Sequence, residues 1–267
     1  MPFSLHAETD EPKELQFPDI PERWGQAVRY KNDKFSIAFI FAGLLDYTIL
    51  DQDQQSIEQV GKQEDTFEAR SLRLGFGGTL DFIGPWSYLV AAEYKGFARG
   101  PDDPFFNFTD VSLTRHFKGG RRLTFGKQKQ PHILEMIGDA ANLVQHERLL
   151  EPFFVNRSWG VSYSRDFIKQ KIGLKLGWYN NWFVDGGDFS GVGNQYAIRL
   201  TALPVWRDEG RQLLHVGISA RYQEDEENIL RYRGRPGSAV TDFYVDSGAF
   251  EADYGLHLGL EALWQGY

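Results

Sequence analysis

Cysteine is absent from the 267 residues. That single absence removes disulfide scaffolds, thiolate metal sites and cysteine nucleophiles together. Long apolar runs are missing too: the longest near-apolar stretch, Phe35 to Leu45, falls well short of the roughly 18 to 20 residues that a spanning helix needs. Helical membrane spans are therefore excluded. Basic charge is in deficit, with 29 Lys and Arg against 37 Asp and Glu, a net charge of −8 and a pI near 5.3. A protein that bound nucleic acid by neutralising phosphates would show the opposite balance, so no nucleic-acid partner is expected. The start of the chain has neither a basic stretch nor an apolar core, so no secretory signal is read there. A cytoplasmic chain, or one whose true start lies upstream, is expected from that.

What is plentiful is aromatic and small: 15% Phe, Trp and Tyr, beside 28 Gly. This mixture favours strands joined by many turns. From Lys34 onward the sequence divides into eleven segments of alternating character. Leu72, Leu74 and Phe76 alternate with Ser71, Arg73, Gly75 and Gly77. Ile172, Leu174, Leu176 and Trp178 alternate with Lys171, Gly173, Lys175 and Gly177, and Leu256, Leu258, Leu260 and Trp264 with His257, Gly259 and Glu261. Strands with two unlike faces have this period.

A soluble sandwich also alternates, and the connections discriminate better. Short turns at 81–85, 119–120, near 168 and near 208 alternate with long connections at 51–66, 96–104, 131–156, 183–195 and 223 to about 237. That rhythm is expected of a transmembrane barrel, with tight turns on the periplasmic rim and long loops outside, and Greek-key sandwiches have no reason to keep it. Trp86, Phe106, Phe125, Trp159, Tyr163, Trp178 and Tyr196 fall on the apolar parity, mostly near segment ends, where a barrel places its interfacial aromatics.

Between Arg70 and about Trp182 the chain resembles the phosphate-selective porin O and porin P family of Gram-negative outer membranes. The resemblance rests on ArgSerLeuArgLeuGlyPheGlyGly at 70–78, PheThrAspValSerLeu at 108–113, LeuThrPheGlyLysGlnLysGlnPro at 123–131, HisGluArgLeuLeuGluProPhePhe at 146–154 and AsnArgSerTrpGlyVal at 156–161. It implies an outer-membrane porin: an antiparallel transmembrane β-barrel of about sixteen strands, usually a homotrimer in outer-membrane lipid, passing small anions such as phosphate or polyphosphate past inward-folded loops. Eleven strands of that sixteen are expected here, over residues 33–267, with residues 1–32 an irregular or periplasmic segment. An odd count would end at the extracellular rim, which makes Tyr267 look like a cut, and an unpaired edge would not insert stably alone.

The polar parity carries Arg73, Lys95, Arg122, Lys171, Lys175, Arg199 and Arg221 against Glu93, Asp110 and Glu261. The acidic excess lies elsewhere: residues 51–66 and 224–227 contribute −4 each, the whole net charge. An anion path along Arg73, Arg122, Lys127, Lys129, Lys171, Lys175, Arg199 and Arg221 is therefore expected, against the plainer possibility that lumen charges pair with one another. Connection 131–156 is the candidate constricting loop, with a short helical pattern from Asp139 to Leu150. Lys127 and Lys129 precede it on the lipid parity of Leu123 and Phe125, which requires a bulge or an early exit from the bilayer. No lysine lies inside the loop, so tight phosphate selectivity is not expected.

Enzyme signatures fail. The serine of GlyAspPheSerGly at 187–191 is one place late for a nucleophile elbow, and GlyPheGlyGly at 75–78 lacks the context of a phosphate-cradling loop. Asp51, Asp53 and Glu58 lack the glycine of a calcium loop and read better as a solvated acidic loop. No metal, no cofactor and no catalytic residue is assigned. Two alternatives stay open: a non-conducting structural or adhesion barrel, and an outer-membrane hydrolase using serine with His116 or His215.

Overall fold

In a computed structural model, residues 29–94, 106–138, 148–150, 153, 157–169, 171–180, 193–224, 229–238 and 240–266 are described. Their architecture is one antiparallel sheet of 11 strands. Along the chain run β1 (Arg29–Lys31), β2 (Ser36–Thr48), β3 (Thr66–Leu80), β4 (Trp86–Tyr94), β5 (Phe106–Phe117) and β6 (Arg121–Lys129). There follow β7 (Arg157–Phe167), β8 (Ile172–Asn180), β9 (Gln195–Arg207) and β10 (Gln212–Glu224). Each pairs with its neighbour in sequence, and β10 pairs last with β15 (Tyr254–Gln265). The four short turns stand where the sequence rhythm puts them, and the long connections all emerge at the opposite end of the sheet.

One segment does not join the sheet. Residues 225–253 form a single connection, within which β11 (Ile229–Leu230) pairs with β14 (Phe250–Glu251) and β12 (Arg233–Gly234) with β13 (Val245–Asp246). Pro236 and the left-handed Gly237 (φ 73°) and Gly248 (φ 68°) interrupt the alternation and fold the segment back on itself. The expected eleventh long segment is thus a loop, and the sheet's other member is β1, inside the stretch expected to be irregular. Ten long strands bring β15 back toward the short-turn rim, so the odd count that singled out Tyr267 does not stand.

The two faces are as unlike as the alternation requires. Along β15, Leu258 and Leu260 are 76% and 90% exposed, whereas His257, Gly259 and Glu261 between them are partly covered. Phe39, Phe41, Leu45 and Tyr47 of β2 share that outward face. Water would not tolerate so continuous an apolar surface, and hydrocarbon would. Tyr196, Tyr222 and Tyr254 stack across β9, β10 and β15 near the loop rim, with ring centroids 6.3 and 5.5 Å apart. These are interfacial positions.

At the loop rim the last long connection reaches the end of β2 and the first loop. Thr48 Oγ1 lies 3.1 Å from Ser238 Oγ, Gln52 donates to the Tyr244 hydroxyl at 3.0 Å, and Gln59 to the Tyr244 carbonyl at 2.7 Å. The first loop holds a helix the alternation did not suggest, α1 (Gln54–Val60). Asp53 caps it by accepting from the Ser56 amide at 2.7 Å, which gives the acidic cluster a local structural role. The other helix, α2 (Leu134–Ile137), stands earlier in the inward loop than the expected Asp139–Leu150 pattern, most of which, 139–147, lies outside the described residues. So do Lys95, Glu151 and the serine of 187–191.

Candidate functional site: a lumen crossed by a loop

The concave face is lined by the small and polar half of each strand, and hydroxyls dominate it. Ser87, Ser112, Thr114, Thr124, Ser164 and Thr201 line a cavity of about 470 Å³ bounded above by Ile137 of the inward loop. Across its wall Thr114 and Thr124 are 2.9 Å apart, and Ser87 lies 2.7 Å from His116 Nε2.

Among the described residues, these ion pairs cross this face. Arg73 meets Glu93 at 3.0 Å, Arg122 meets Asp166 at 2.7 Å, Arg157 meets Asp110 at 2.8 Å and Arg199 meets Glu261 at 2.7 Å. Two of them step over an intervening strand, and at one of these crossings glycine makes room. At Gly217, which lies between Arg199 and Glu261, an added Cβ would collide with the Glu261 carboxylate. On β6, Gly126 takes φ 107° where it packs against the Val111 backbone, and the pairing of β5 with β6 ends one residue later at Lys127.

The register of β6 against β7 runs unbroken from Arg121 to Lys129, so the parity itself does not change. At the end of the strand the Lys129 side chain nonetheless reaches the loop and donates to the carbonyls of Ile137 and Gly138 at 3.3 and 3.1 Å. Lys127 reaches Asn107 at 3.4 Å. Arg157, Arg148 and Arg73 lie within electrostatic reach of Lys129, against Asp110. Arg148 itself is tied to the loop through the Glu135 carbonyl at 2.9 Å. Four cations therefore gather where the inward loop meets the wall, with Glu93 and Asp110 as the carboxylates paired to two of them.

The remaining positions of the expected path separate. Lys175 lies on the lumen wall beside Arg199, its cross-strand neighbour, with Arg122 lower on the same wall. Lys171 is not on a strand: it is exposed in the turn between β7 and β8, because its carbonyl is taken by Leu203 N at the rim. Arg221 is 2% exposed and faces no open path. Its Nε donates to Gln130 Oε1 at 2.8 Å and its Nη2 to Gln195 Oε1 at 2.9 Å, while Gln130 also donates to Gln195 at 2.6 Å and to Ser158 at 2.9 Å. This knot ties the root of the inward loop to β7, β9 and β10. Arg157 was not foreseen, since simple alternation puts it with Trp159 on the lipid side; Arg148 stands in the sequence as the one arginine of the candidate constricting loop, 131–156.

Just past the knot, His132 is 2% exposed, and neither ring nitrogen has a hydrogen-bond partner. Burial, then the neighbouring Arg221 and His257, pushes its pKa down to about 4. Its ring centroid is 6.1 Å from that of His257, on the lumen parity of β15.

An antiparallel sheet with an apolar outer face, a hydroxyl- and ion-pair-lined inner face and a loop folded against the latter defines the wall of an outer-membrane channel. The sequence profile of the phosphate-selective porin O and P family matches residues 45–265, and the chain belongs to that family. It is a family of channels rather than enzymes. No curated protein matches the chain.

Proposed function

We propose that this chain conducts small anions, phosphate among them, with modest selectivity, as a homotrimer in the outer membrane. The observation that carries the reading is the gathering of Arg73, Lys129, Arg148 and Arg157 at the junction of loop and wall, with Lys129 held by the carbonyls of Ile137 and Gly138. An anion passing there meets fixed positive charge partly withdrawn from water, where Coulomb attraction is least screened. Selectivity stays modest because the lower lumen is balanced: Arg122 and Arg199 are each held by a carboxylate. The trimer and the polyphosphate option rest on the family alone.

Reversal potentials of the full-length channel under a salt gradient test this. Lys129→Glu shifts the preference toward cations, and high salt mutes the change. An unchanged reversal potential would refute the reading. A hydrolase is not favoured: the Ser87–His116 pair faces the lumen and the charged neighbours of that imidazole are Arg122 and Arg115, while the carboxylate near His215, Glu261 at 3.9 Å, is held by Arg199.

A further inference from the structure

The outward face of the sheet carries an arrangement that neither the channel nor the fold uses. Near the short-turn rim, Arg121 of β6 and Arg165 of β7 stand directly opposite each other in register. Both are exposed on the lipid side, one row below the apolar row of Leu123, Tyr163 and Leu176. The same row continues on the next strands as Leu174 and Leu200, so it still belongs to the membrane boundary. Like charges directly opposite across an antiparallel pair repel, and no carboxylate among the described residues answers them. Arg121 Nε is spent on the Lys118 carbonyl at 3.0 Å, and Arg165 lies flat over Phe167 at 4.5 Å.

A third arginine completes the group. Arg115 of β5, on the same outward face and one row higher, stacks over Trp86 at 5.4 Å and over Phe117 at 5.7 Å. Aromatic rings thus hold two of these guanidinium groups at the interface; Arg115 also donates to the Pro85 carbonyl at 3.3 Å, which leaves Arg121 and Arg165 as the pair that would meet a ligand. A phosphodiester seated between Arg121 and Arg165 would relieve their repulsion and accept hydrogen bonds from both.

We infer that Arg121 and Arg165, flanked by Arg115, form a headgroup clamp for an anionic phospholipid of the periplasmic leaflet. The inference rests on the membrane placement of the sheet, not on the anion preference of the lumen. Each arginine near a charged lipid surface strengthens attachment about fivefold, so losing both weakens lipid retention roughly thirtyfold.

The test is native mass spectrometry of the full-length protein in micelles doped with phosphatidylglycerol or phosphatidylcholine, with thermal unfolding followed in the same samples. Wild type retains phosphatidylglycerol over phosphatidylcholine, and R121Q/R165Q loses that preference. Without lipid the double variant unfolds at a higher temperature than wild type, because the repulsion is gone, and phosphatidylglycerol reverses the order. Equal retention by both proteins, protection by inorganic phosphate matching that by lipid, or a lipid-independent fall in oligomer size on mutation would each overturn the clamp. Loss of the anion preference in reversal potentials would leave it standing, so the two readings fail separately.

Discussion

Replacing Gln130 by leucine isolates what the buried knot contributes. Gln130 is 1% exposed and supplies one of the two amide oxygens that receive Arg221. Leucine matches its bulk but offers no acceptor, so a guanidinium 2% exposed keeps a single partner. A hydrogen bond to a charged group contributes about 1.5–3 kcal/mol, and stranding a buried charge costs about 3–5 kcal/mol, so Q130L destabilises by about 3 kcal/mol. The companion variant Arg221→Met removes the charge itself and leaves Gln130 and Gln195 to bond each other, as they already do at 2.6 Å. Its cost is smaller, about 1–2 kcal/mol. Combining the two removes the stranded charge, and although Gln195 Oε1 then loses both of these donors, the cost is that of a neutral acceptor and the double variant is more stable than Q130L alone.

Unfolding of the refolded protein in micelles, read by heat-dependent gel mobility, measures all three. Single-channel records read the same cycle through the pore: Q130L loosens the loop root and adds open-level fluctuations that R221M/Q130L lacks. Additive losses would refute the reasoning, since they would mean that the amide and the guanidinium do not act as one unit. A neutral Q130L would refute it equally.

Acidification acts on the same region. With its pKa lowered to about 4, His132 stays neutral in the folded loop while the unfolded chain takes up a proton near pH 6.5, so stability is intact above pH 6.5 and falls toward pH 4. The loss is at most about 1.4 kcal/mol per pH unit, and His132→Phe flattens it; an identical pH profile in the variant would exclude His132 as the sensor. At Gly217, substitution by valine drives Cβ into the Glu261 carboxylate and parts it from Arg199. A loss of about 1–3 kcal/mol is expected in denaturant unfolding, and the arginine so released raises anion preference in reversal potentials. Wild-type stability in Gly217→Val would show that the crossing does not constrain the strand.

Much of this sheet was legible from the alternation of residues because a barrel wall is a one-dimensional object with a two-residue period. Leu256, Leu258 and Leu260 against His257, Gly259 and Glu261 leave one choice of face, and pairing in register follows. The lumen was legible only in part, and the failures share a cause. Parity says which face a Cα serves and nothing about where a long side chain ends. Lys129 and Arg157 fall on the lipid parity, yet at the strand ends their long side chains carry the charges to the Gly138 carbonyl and to Asp110. Arg221 falls on the lumen parity, yet the loop that lands on it turns a presumed anion ligand into an anchor. Charge balance misled in the same way: a surplus of basic residues along the strands reads as an open anion path, but Asp166, outside that count, reaches Arg122, and Glu261 reaches Arg199 across a glycine. On the proposed reading, what matters for conduction is the charge left after pairing where loop meets wall. That quantity depends on contacts between residues as distant as Asp110 and Arg157, which no local pattern encodes.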